Sequence, residues 1–74
     1  MNEVTGTVTG VDGAPIEGVL VMGVDLNYAE TDAQGEFRVR SPEMALVFWC
    51  TGFRPHVRVL PPRSERIEVV LLPQ

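Results

Sequence analysis

The residues able to do chemistry in this chain are few: His56, Cys50, six arginines and ten carboxylates, with no lysine. Nucleophilic catalysis needs a nucleophile, a base and an orienting group within hydrogen-bond reach. Cys50 and His56 are the pair that comes nearest to it. Cys50 has the parity of Met44, Leu46 and Phe48, however, which reads as a buried small hydrophobe rather than a thiolate. A catalytic zinc takes three protein ligands, and one histidine with one cysteine supply neither that set nor a zinc knuckle from one subunit. The oxygen-rich stretch Asp25, Asn27, Glu30, Asp32 and Gln34 raises calcium, which wants about six to eight oxygens. Its spacing is not that of an EF-hand, and Gly35 follows in a turn context. These are read as solvated turn residues. No catalytic residue, metal or cofactor is expected.

Charge narrows the partners. The net charge is −4 and the arginines are scattered. Polyanion binding needs a basic stripe, so nucleic acid is not expected. The longest unbroken apolar run, Met44 to Cys50, is seven residues. A membrane span needs about 20, so none is expected. The single cysteine excludes an internal disulfide. Met1-Asn2-Glu3 has no basic region before an apolar core, so no signal peptide is read and the compartment stays open. Tyr28 and Trp49 raise carbohydrate binding, because sugars stack on exposed aromatic faces flanked by polar groups. Of the two, the Tyr28 loop has such neighbours, in Asp25 and Asn27.

The elements that must position these residues are short. Seven glycines and six prolines leave pieces of four to nine residues, and none has the apolar spacing of a helix. The pieces alternate with period two and are rich in Val, Thr, Ile and Phe, as strands are. Val4–Thr9 puts its threonines on one face and Val4, Gly6 and Val8 on the other. Further strands are predicted over Val19–Asp25, Glu36–Arg40, Met44–Thr51, His56–Leu60 and Arg66–Leu72. Turn signals every eight to twelve residues point to an all-β protein of six or seven short strands, an antiparallel sandwich or small barrel. One domain, residues 1–74, is expected, with a radius of gyration of roughly 11 Å. A body that small holds no deep cleft unless a second subunit supplies a wall.

Five motifs in order then stand out: Val4-x-Gly6-x-Val8, Gly13-x-Pro15-Ile16-x-Gly18-Val19-x-Val21, Thr31-Asp32-x-x-Gly35-x-Phe37, Gly52-Phe53-x-Pro55 and Ile67-x-Val69-x-Leu71. Together they resemble the carboxypeptidase regulatory-like domain, over nearly the whole chain. The resemblance implies a single small antiparallel β-sandwich of six or seven short strands in two sheets, transthyretin-like (prealbumin-like), in a fold group near carbohydrate-binding modules, and a non-enzymatic accessory role. The motifs also have a physical reading. Asp32 is placed to accept backbone N–H groups two and three residues on, and Gly35 to close the turn with positive φ. Gly18 reads as a close backbone approach or a bulge.

Parity assigns the core to Val4, Val8, Val19, Val21, Phe37, Val39, Leu46, Phe48, Phe53, Ile67, Val69 and Leu71. It leaves Leu20, Met22, Val24, Val47 and Trp49 pointing outward, on two strands that the resembling topology places side by side. These five residues are the candidate interface. Three functions are open: a module contacting a protein partner or a second copy as a dimer, a carbohydrate-binding module using Tyr28 or Trp49, and a hydrolase completed between subunits.

Overall fold

The computed structural model describes residues 2–23, 27–41, 45–59 and 66–74. They form seven strands: β1 (Asn2–Thr9), β2 (Leu20–Gly23), β3 (Tyr28–Glu30), β4 (Glu36–Ser41), β5 (Ala45–Trp49), β6 (His56–Val59) and β7 (Arg66–Val70). One sheet has the order β4-β1-β7 and the other β3-β2-β5-β6. The fold is an all-β sandwich. Among the described residues no helix is long and apolar enough to cross a membrane. The Cα radius of gyration is 11.2 Å.

The alternation of apolar residues builds the layers. Val4 and Val8 of β1, Phe37 and Val39 of β4, and Ile67 and Val69 of β7 turn inward from the three-stranded sheet. Val21, Leu46 and Phe48 meet them from the four-stranded sheet, with Val19 and Leu71 just beyond the strand ends. Phe37 stands edge-on to Phe48 at a centroid separation of 5.5 Å and 72°, joining the two layers. Eleven of the twelve expected core residues are buried. Phe53 is the exception: it is half-buried and packs against the core from the side. It sits in an isolated bridge to Pro73, outside both sheets, and so has cover on fewer sides.

The structure departs from the sequence reading at three points. Four of the ladders are antiparallel, but β1 and β7 pair in parallel. Parallel neighbours need a crossover of a dozen or more residues, and almost the whole chain lies between these two strands. Tyr28–Glu30, read as a polar turn, is an edge strand on β2, with Met22 opposite Tyr28 and Leu20 opposite Glu30. Gly18 is a positive-φ turn residue with open space around it, not a close approach. Val24, Asp25, Met44 and Leu60 lie outside the described residues.

The Thr31–Phe37 motif is a structural knot. Asp32 Oδ1 accepts the N–H groups of Gln34 and Glu36, both at 2.9 Å, while its carbonyl accepts that of Gly35 at 2.8 Å. The carboxylate thus reaches two and four residues on, and the backbone takes the third. Thr31 is buried; its hydroxyl donates to Ile16 O at 2.7 Å and accepts Val19 N–H at 2.9 Å. That pair of bonds ties the long 10–19 connection to the entry of β4. Gly35 has φ 74°, and a Cβ there would stand 2.5 Å from the Val8 carbonyl oxygen. Gly35→Val is therefore expected to cost more than about 1 kcal/mol from φ alone, with the carbonyl clash added. Urea denaturation measures it; an unchanged midpoint would contradict both causes.

Candidate functional site

The two outer faces of the sandwich differ in chemistry. On the three-stranded sheet, Arg38, Thr5 and Arg66 form one cross-strand row, and Glu36, Thr7 and Glu68 form the next. Two exposed ion pairs lie on it, Arg38–Glu3 at 3.7 Å and Arg66–Glu36 at 3.8 Å. Pairs this exposed contribute little to stability. They give the face a solvated, mixed-charge character.

The four-stranded sheet is the reverse. Leu20 is paired with Trp49, and Met22 with Val47. Val47 is also opposite Val57, Ala45 is opposite Val59, and Tyr28 is opposite Met22. An unbroken apolar row, Tyr28–Met22–Val47–Val57, thus crosses all four strands, roughly 14 Å from β3 to β6. The fractional exposures are 65% for Tyr28, 39% for Val47, 51% for Trp49, 62% for Val57 and 74% for Val59. Leu20 and Met22 are half-buried. Glu30, at the β3 edge, is the charged group paired into this face among the described strand residues.

Strand β6 shows the inversion most clearly. His56 and Arg58, its polar residues, face inward, and Val57 and Val59 face water. The His56 ring lies 5.9 Å from Phe48, and its buried Nε2 has no hydrogen-bond partner among the described residues. Arg58 reaches the β7 edge, where Nη1 donates to Glu68 O at 3.1 Å. An isolated amphipathic strand would turn over to put its valines inside. Here Phe48 and Leu46 already fill the interior beside it, and the valines continue the outer row.

Four of the five residues expected at the interface come together as one surface: Leu20, Met22, Val47 and Trp49. Val24 lies outside the described residues. Tyr28, Val57 and Val59 join the surface and were not assigned to it from sequence. Tyr28 was hidden by its polar neighbours, which mask a three-residue strand. For Val57 and Val59 the alternation was visible, but the side on which it faced was not.

Cys50 is half-buried and packs against the core, with its carbonyl accepting Phe53 N–H at 3.1 Å. Among the described residues no three His, Cys, Asp or Glu side chains come together to hold a metal. Asp32, from the oxygen-rich stretch, is committed to its turn. Three surface depressions among the described residues, of about 510, 520 and 280 Å³, lie away from the apolar row; the first is lined by Asp32, Glu36, Arg38 and Arg66 among others.

No protein-family model and no curated protein matches the sequence. The fold has a relative of known structure. A chain of the type II cohesin–X–dockerin complex from Acetivibrio cellulolyticus, a C-terminal interface mutant, superposes with a TM-score of 0.72 at 16% identity. The match covers 96% of this chain and 57% of that one. At that identity the likeness is one of fold: a small β-sandwich, spanning little more than half of the longer chain.

Proposed function

We propose that this protein is a non-catalytic interaction module that docks a protein surface onto the outer face of its four-stranded sheet. The observation that carries this reading is the row Tyr28–Met22–Val47–Val57, apolar across every strand and flanked by Leu20, Trp49 and Val59. The exposed residues leave about 500 Å² of mostly apolar surface in water, near the top of the range for soluble monomers. The neighbour's origin in an assembly of cohesin and dockerin modules agrees with a binding role. The finer assignment, a carboxypeptidase regulatory-like module, rests on the five sequence motifs.

A protein surface fits this face better than a sugar does. Sugar sites combine an aromatic platform with hydrogen-bonding groups beside it. Trp49 has Leu20 as its cross-strand neighbour, and Tyr28 has Met22. Apolar neighbours of that kind suit the desolvated centre of a protein interface.

A photo-reactive phenylalanine analogue placed at Val47 tests the reading in the cells that carry the protein. It is expected to cross-link to protein, whereas the same group at Arg38, on the charged face, gives no comparable product. Trp49→Glu combined with Met22→Glu should abolish the Val47 product while the domain stays folded. Equal yields from the two faces, or a product that survives the double substitution, would refute the docking surface.

A further inference from the structure

Resting on that reading, we infer that the occupant of the apolar face is a second copy of this chain, packed sheet on sheet. The strand order β3-β2-β5-β6 has an even number of strands and a midline between β2 and β5. A two-fold axis lying in the interface parallel to the strands exchanges β3 with β6 and β2 with β5. The apolar row then meets its own reverse. Tyr28 comes over Val57 of the second copy, and Met22 over Val47. In the adjoining row, Trp49 comes over Leu20. Each large ring meets a smaller aliphatic side chain, as interdigitating sheets require. A two-fold axis perpendicular to the strands would instead bring β3 over β3, placing the exposed tyrosines together.

Charge and area agree with this occupant. Each chain carries a net charge of −4, so repulsion between two copies is least where the contact itself holds no charge. The row that would be buried holds none, and Glu30 stays at the β3 rim. Two faces of about 500 Å² bring together roughly 1,000 Å², about what a specific interface between two proteins must bury. The two-fold relation makes the contact isologous and closed, so it ends at a dimer.

Charge-pair exchange tests both the occupant and the arrangement. Positions 28 and 57 lie on opposite edges of one sheet, so new charges there interact weakly within a chain. Across the proposed interface they face each other. Wild type is expected to sediment as a dimer, and Tyr28→Glu and Val57→Lys each as monomers. An equimolar mixture of the two variants should form a heterodimer at least about tenfold tighter than either variant with itself. In that heterodimer the new carboxylate meets the new ammonium, and the second contact keeps its natural tyrosine and valine. Both sites are more than half exposed, and circular dichroism checks that the variants fold; wild-type sedimentation stands independently of them. A wild type that stays monomeric from micromolar to millimolar concentration overturns the inference, as does a mixture no tighter than its parts. A monomer that still cross-links from Val47 to another protein removes the second copy and leaves the docking surface standing. Loss of every cross-link removes both.

Discussion

Truncating Phe48 to alanine is expected to cost about 3–5 kcal/mol, whereas the same change at Phe53 should cost about 1–2 kcal/mol. A 74-residue domain holds roughly 4–11 kcal/mol in all, so the first variant sits at the edge of unfolding. Phe48 is fully buried on β5, with Phe37 edge-on at 5.5 Å and His56 at 5.9 Å. Its removal leaves a cavity walled by β4, β5 and β6, and the ladders to β2 and β6 hold those walls apart. Phe53 is half-buried at the side of the core, where water can take the vacated space. Urea denaturation of both variants separates the two environments. Equal costs, or a Phe48 variant with the wild-type midpoint, would contradict the packing.

That difference between two phenylalanines shows what the sequence conveys and what it withholds. Period-two alternation states which residues share a face, and eleven of the twelve core positions follow from it. It does not state how much cover each face receives. Phe53 lies past the end of a strand, where no alternation operates, and its half-burial depends on where the Pro73 segment comes to rest. The parallel pairing of β1 with β7 is equally non-local, since neither strand records its partner.

Strand β6 is the sharpest case. His56–Val59 alternates polar and apolar residues, and a half-buried strand with water on its other side would bury the valines. The structure does the opposite. Its register on β5 is fixed by Val47 opposite Val57 and Phe48 opposite His56. The cost is a buried His56 Nε2 that finds no hydrogen-bond partner among the described residues, so its desolvation goes uncompensated there. That orientation leaves Val57 62% and Val59 74% exposed. The outward Leu20, Met22, Val47 and Trp49 were legible because two adjacent strands carried apolar residues at both parities. The extension of the apolar row to Tyr28 and Val57 required the strand order.

The second large effect concerns a glycine whose role is space rather than conformation. Gly6 occupies an interior-facing position of β1, the central strand of its sheet, with Phe37 opposite on β4 and Ile67 on β7. A Cβ at this position would overlap the Ile67 carbonyl oxygen and lie 2.9 Å from Phe37 Cζ. The carbonyl belongs to the backbone of β7, so it cannot swing aside as a side-chain tip would. The Phe37 ring is backed by Phe48 and cannot retreat without displacing it. Alanine in a strand is ordinarily favoured over glycine by about 0.5–1 kcal/mol, because it restricts the unfolded chain. Here the clash outweighs that gain: Gly6→Ala is expected to destabilise by about 3 kcal/mol or more, the upper end of overpacking costs. Adding Phe37→Leu should recover part of the loss by freeing the ring side, while the carbonyl clash persists. Denaturant midpoints for the single and double variants decide it. A Gly6→Ala protein as stable as wild type would mean that β1 and β7 are not held at this distance, and full recovery in the double variant would remove the backbone from the account.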